Sequence, residues 1–190
     1  MKLSLVALLV LTLTSPLVIA EEQGRVLFDF TGEQAPRQWQ TVNDGVMGGR
    51  SKGEFEINDE NSLKFTGVLS LENNGGFASV RSRPTQLDLQ KDDTLVIRVK
   101  GDGRTYNFNL YVPTQLTAFS YRVSFQTKKN EWIEVELPLK NFQATWFGRE
   151  VNNRPLDATR VNRLGVLLSD KKTGPFELQI GWIKVKDDAT

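Results

Sequence analysis

The 190-residue sequence contains neither cysteine nor histidine. Without cysteine there is no disulfide and no lipid-modified N-terminal Cys, so the fold must be held by its core alone. Without histidine, no Ser-His-Asp or Cys-His arrangement can exist, and zinc sites of the usual Cys and His type are excluded. An excess of one charge is missing too. The formal net charge is +1, from 24 basic and 23 acidic residues, and the longest basic runs, Lys128-Lys129 and Lys171-Lys172, read as solvated turns. A polyanion such as a nucleic acid is therefore not an indicated partner. Helical periodicity is nearly absent as well, and so are internal repeats, low-complexity tracts and linkers.

One apolar run stands out. Residues 1–20 hold a single basic residue, Lys2, then an apolar stretch from Leu3 to Leu13, then Thr14-Ser15-Pro16 and Val18-Ile19-Ala20 ahead of Glu21 and Glu22. This reads as a signal peptide cleaved after Ala20, with the product exported to a periplasm or equivalent lumen. A membrane anchor is the other reading, but a bilayer span needs about 20 apolar residues. Residues 21–190 are then read as one domain, large enough to bury a core.

What the rest of the chain does have is alternation. Leu63, Phe65, Leu69 and Leu71 share one parity, as do Leu95, Ile97 and Val99, then Tyr106, Phe108, Leu110 and Val112, then Tyr121, Val123 and Phe125. Period two marks strands with one face in a core, so an all-β fold is expected, with Asn107 and Asn109 outside it. Phe176, Leu178, Ile180 and Trp182 share a parity that Ile183 and Val185 break, which predicts a β-bulge beside Gly181. Turns are expected at Asn73–Gly76, Asp92-Asp93, Lys128–Asn130 and Gly101-Asp102-Gly103, the last as a hairpin. The one helical candidate runs from Asp157 to Arg163, with Asp157 as N-cap.

Chemistry is sparse. Asp44, Glu54, Glu56, Glu72 and Asp102 are candidate acids and Ser51-Lys52 a candidate pair, but none is distinctive, and neighbours in a strand point to opposite faces. The glycines of Val46–Ser51 lack P-loop lysine spacing and read as a turn. Asp29, Asn152, Asp187 and Asp188 could offer calcium oxygens, although no run has EF-hand spacing, so no cofactor or metal is assigned. Arginines and aromatics give the better lead. Arg81, Arg98, Arg104, Arg122 and Arg149 lie in or beside strands, where Asn107, Asn109, Tyr111 and Trp146 could share a surface with some of them. Guanidinium groups grip carboxylates in bidentate fashion, and Trp or Tyr faces stack on sugars or anchor protein contacts.

The segments Val42–Ser51, Gly76–Ser82, Gly101–Arg104, Trp146–Arg149 and Leu164–Lys171, in this order and spacing, resemble the CIA30 family, named for the complex I intermediate-associated protein of mitochondria. The resemblance runs from about Val26 to Val185. It implies a jelly-roll β-sandwich of the galactose-binding-like type and a non-enzymatic binding or assembly module acting through a protein partner. An exported carbohydrate-binding module is the alternative that the implied fold leaves open. An export signal sits uneasily with a literal complex I role. The polar and aromatic residues of the motif segments, Asn43, Asp44, Arg81, Trp146 and Arg149, are expected to form one binding surface; no catalytic residue and no stable membrane insertion are expected.

Overall fold

The computed structural model describes residues 24–186; residues 1–20, read as a signal peptide, lie outside them. The strands run β1 (Arg25–Phe28), β2 (Trp39–Asn43), β3 (Lys52–Ile57), β4 (Leu63–Leu69), β5 (Ala78–Ser82), β6 (Thr94–Gly101), β7 (Thr105–Tyr111), β8 (Phe119–Gln126), β9 (Trp132–Pro138), β10 (Gln143–Trp146), β11 (Arg149–Glu150), β12 (Arg163–Leu168) and β13 (Gly174–Val185). A six-stranded sheet has the order β3-β4-β13-β6-β9, with β1 also paired to β13, and a seven-stranded sheet the order β11-β10-β8-β7-β12-β5-β2. Every pairing between these strands is antiparallel.

The two inner faces meet in a shared core. Leu63, Phe65, Ile97, Val99, Leu178 and Ile180 face Val80, Phe108, Leu110, Leu164 and Val166, all essentially inaccessible to solvent. Burial of this kind, at about 25 cal/mol per Å² of apolar surface, is what holds a cysteine-free chain together. Aromatic contacts add to it: Phe28 on β1 lies 5.0 Å from Trp39 on β2 across the layers, and within the six-stranded sheet Phe65 lies 4.9 Å from Phe176, centroid to centroid. The alternation of Tyr106, Phe108 and Leu110 is thus core-facing, as its period requires, and the β13–β6 register shifts between Ile180 and Trp182, beside Gly181.

Four local readings need correction. Asn109 faces away from the core but is buried all the same, because neighbouring side chains on the outer face cover it. Leu71 is exposed, since β4 ends at Leu69 and the chain turns before the alternation would bring it inward. Gly101-Asp102-Gly103 is not a hairpin turn: β6 belongs to one sheet and β7 to the other, so these residues form a corner between layers. Turn residues report that a chain bends, not which sheet it enters. The helix expected over 157–163 is a single 3-10 turn, Ala158–Arg160; Asp157 does cap it, its Oδ1 accepting from the Thr159 amide at 3.2 Å, but Arg163 already opens β12.

Candidate functional site

The expected site residues separate into three places. Asp44 is wholly buried, and its carboxylate accepts from the Ser51 amide at 2.9 Å, Ser51 Oγ at 2.6 Å, the Gly76 amide at 2.6 Å and the Phe77 amide at 3.2 Å. Burial pushes this carboxyl up, but the donors, Ser51 Oγ foremost, outweigh it and hold its pKa below the ordinary value. A Cβ at Gly49 would lie 2.3 Å from Asp44 Cγ, and one at Gly75 2.6 Å from Asp44 Oδ2. These glycines therefore serve close approach, while Gly48, at φ 87°, supplies the left-handed turn. Asn43 donates to the Gly53 carbonyl at 2.9 Å, tying β2 to β3 across the layers. The first motif segment is thus a brace, and Ser51, held by Asp44 and the Ser70 carbonyl, forms no dyad with Lys52.

A second brace holds the corner between the sheets. Arg104 reaches Asp170 in bidentate fashion, Nε to Oδ2 at 2.9 Å and Nη2 to Oδ1 at 2.6 Å, and also donates to the carbonyls of Pro175 and Lys172. Asp102 accepts from the Arg104 amide, the Glu177 amide and the Tyr106 hydroxyl. Burial, with Asp102 alongside, pushes the Tyr106 phenol far up, so it stays a donor. The motif segments Gly101–Arg104 and Ser169–Lys171 exist to grip each other.

The third place is the outer face of the seven-stranded sheet. Cross-strand register sets Gln40, Arg81, Gly165, Asn109, Arg122 and Gln143 in one row over β2, β5, β12, β7, β8 and β10. Arg163 sits opposite Tyr111 on the same face. The Tyr111 ring has Arg81 Cζ at 5.0 Å and Arg163 Cζ at 5.5 Å from its centroid, a cation–π arrangement, while Asn109 bridges by donating to Tyr111 Oη at 3.2 Å and accepting from Arg122 Nε at 3.1 Å. Arg81 Nε donates to Ser79 Oγ at 3.0 Å, and Arg163 Nε is buried without a partner among the described residues. Burial lowers the Arg122 pKa, and Arg81 nearby lowers it further, although a guanidinium stays charged. Gly165 is what admits Arg81: a Cβ there would stand 3.1 Å from Arg81 Cγ and 2.5 Å from the Val80 carbonyl oxygen.

At the outer edge of this sheet, Trp146 and Arg149 pair across the β10–β11 turn; Trp146 stands opposite core-facing Phe119 and so has the parity of the inner face, whereas Glu150, opposite Thr145, has that of the arginine row. Trp146 and Phe147 are about half exposed, with ring centroids 5.5 Å apart, and Trp146 Nε1 donates to the Thr117 carbonyl at 3.0 Å. A Cβ at Gly148 would stand 3.7 Å from Arg122 Nη1, so the turn borders the arginine cluster.

The structure therefore does not bring the five expected residues onto one surface. Asn43 and Asp44, on and beside β2, are separated from Trp146 on β10 by five strand intervals, about 24 Å at sheet spacing. Arg81 belongs to the outer-face cluster, Trp146 and Arg149 to the β10–β11 edge of the sheet, and Asp44 to the interior. Sequence reasoning missed Arg163; the available signal was its parity with Gly165, opposite to core-facing Leu164 and Val166. Of the calcium candidates, Asp29 Oδ1 accepts from Thr31, Asp187 and Asp188 lie outside the described residues, and no group of three or more acidic residues able to hold a metal occurs among the described ones.

The architecture is that of a carbohydrate-binding-module-type jelly roll. The Family 11 Carbohydrate-Binding Module of cellulosomal cellulase Lic26A-Cel5E of Clostridium thermocellum superposes with a TM-score of 0.65 over 87% of this chain and 95% of that one, at 14% identity, a likeness of fold alone. The galactose-binding-like sandwich is thus the fold class. The family is fixed by sequence: the profile described as Complex I intermediate-associated protein 30 (CIA30) matches residues 28–180, and the chain belongs to that family. Complex I intermediate-associated protein 30, mitochondrial, of Mus musculus is 30% identical over 88% of this chain, and its Drosophila melanogaster counterpart 24% over 90%. The chain spans 57% and 66% of those proteins' lengths. Both are named as mitochondrial, which points to the mitochondrion and overturns the exported, periplasmic or luminal location expected from residues 1–20. A short apolar run reports local hydropathy and is a weak guide to compartment when read without relatives. No helix among the described residues is long and apolar enough to cross a membrane.

Proposed function

We propose that this chain is a non-enzymatic binding module that takes part in the assembly of respiratory complex I by engaging a protein partner. The observation that carries the reading is the outer face of the seven-stranded sheet, where Arg81, Arg122 and Arg163 converge on Tyr111 beside the exposed Trp146–Phe147 pair. Arginine and tryptophan are the side chains most enriched where binding energy concentrates at protein interfaces. Membership of the CIA30 family supports the assembly role. A non-enzymatic role agrees with the lack of histidine and cysteine and with Ser51, Asp44 and Asp102 being held inside braces.

A sugar platform is less well supported, because Tyr111, the aromatic ring on this sheet face, is only 6% exposed and lies against two guanidiniums. The test is genetic and biochemical. Cells lacking the protein should accumulate incomplete complex I on native gels, wild-type protein should restore it, and Trp146→Ala should restore it poorly while melting within a few degrees of wild type. Normal complex I without the protein overturns the reading.

A further inference from the structure

The two outer faces of the sandwich treat their cations differently. On the six-stranded sheet Lys64 reaches Glu56, Lys186 reaches Glu136, and Arg98 lies opposite Glu134 and over Trp132. On the seven-stranded sheet, the outward positions of β2, β5, β12, β7, β8 and β10 hold three arginines and no aspartate, glutamate or lysine, and the one carboxylate with outward parity, Glu150, lies on the edge strand β11. Among the described residues none of the Nη groups of Arg81, Arg122 and Arg163 donates a hydrogen bond, and Arg163 Nε is buried without a partner. Desolvated guanidinium groups that repel one another are costly to keep unless something supplies the missing negative charge.

Resting on the protein-partner reading above, we propose that this cluster is a carboxylate receptor: it docks an acidic segment of the partner, with one or two Asp or Glu side chains over Tyr111 and an adjoining apolar residue against Trp146 and Phe147. Three features favour a carboxylate-bearing protein segment over a nucleic acid. The guanidinium fork matches a planar carboxylate in bidentate geometry. The cations converge around one ring instead of repeating along a track as a phosphate backbone demands. The remainder of the face is mostly amide and hydroxyl, suited to peptide groups, with Val42 and Leu167 as its aliphatic positions and the exposed Trp146–Phe147 turn at one edge. Gly165 keeps Arg81 within reach of the same anion as Arg163, which stands two residues along the strand.

The probe is a short acetylated and amidated peptide of Glu and Ser ending in Leu, titrated into the full chain while the arginine Nε resonances and Trp fluorescence are followed. Saturable binding is expected, at least tenfold weaker for Arg122→Gln and for Arg163→Gln, weakened by Arg81→Lys because an ammonium cannot fork, and unchanged for Arg98→Gln on the opposite sheet. Circular dichroism and melting of each variant separate lost binding from lost folding. Four results would each overturn the proposal: no saturable binding; equal binding of a peptide with Gln in place of Glu; equal weakening by Arg98→Gln; or tighter binding of inorganic phosphate or an RNA oligonucleotide than of the peptide. Complex I assembly is scored in parallel. Assembly that depends on the chain but is indifferent to Arg122→Gln removes the receptor and leaves the family reading, whereas peptide binding without any assembly defect does the reverse.

Discussion

Arg104 and Arg122 are the same residue in opposite circumstances. Arg104 is saturated: two bonds to Asp170, further bonds to backbone carbonyls, and a pKa raised chiefly by the Asp170 hydrogen bonds. Arg122 is buried enough for its pKa to be lowered, has one bond to Asn109, and faces Arg81 instead of a carboxylate. The first arrangement closes a corner between layers and asks nothing of the surroundings. The second leaves a demand for negative charge on the surface. Within one domain, arginine is thus used both as mortar and as bait, and local sequence does not distinguish the two.

The contrast breaks most visibly in stability. Arg104→Ala should cost about 3–5 kcal/mol in chemical denaturation, because Asp170, 8% exposed, is left as an uncompensated buried charge. Equal stability of this variant would mean that the corner is held by packing alone. Asp44→Ala should cost about 2–3 kcal/mol, since buried amides of Ser51, Gly76 and Phe77 lose their acceptor together.

Acid should act on the braces as well. Asp44 and Asp170 both titrate below the ordinary 3.8 in the folded chain, so the stability they contribute is fully present above that pH and is lost as pH falls through their folded values. Denaturation midpoints measured down through that window should fall for wild type and less steeply for Asp44→Asn. Smallest of all, Arg122→Gln should change stability by less than about 0.5 kcal/mol in either direction, since it removes a desolvated charge beside Arg81. A loss as large as that of Arg104→Ala would place Arg122 among the braces.

Much of the fold was legible because alternation is a property of neighbouring residues. Tyr106, Phe108 and Leu110 declared their strand, and the parity break after Trp182 declared the bulge. Long-range placement was not legible. Nothing in Gly101-Asp102-Gly103 says that β7 leaves the sheet of β6, and nothing near Asp44 says that amides thirty-odd residues later will close around it. The candidate site was half read for the same reason. Arg81 and Arg122 were visible as strand arginines, and Trp146 and Arg149 as members of one motif segment, but the convergence of Arg81 and Arg122 with Arg163 depends on β12 being inserted between β5 and β7. Asp44 misled because a carboxylate among glycines resembles an exposed ligand; here the glycines are thin so that the carboxylate can be enclosed.

That thinness has a hereditary consequence. Asp44, Gly49 and Gly75 share a volume in which no methyl group can be added while the carboxylate stays. Asp44 and Gly49 therefore behave as a single character under mutation: Gly49→Ala is harmful while Asp44 is present and is relieved fully only when residue 44 gives up its Cβ too, which would stand 2.8 Å away. Gly75 is held in addition by the Glu72 carbonyl oxygen, 2.9 Å from where its Cβ would be. A double-mutant cycle between Asp44 and Gly49 should be strongly non-additive. Lineages that drift at residue 44 are expected to drift at residue 49 as well, so that this glycine records the presence of a side chain it does not itself carry, while Gly75 stays fixed by the backbone beside it.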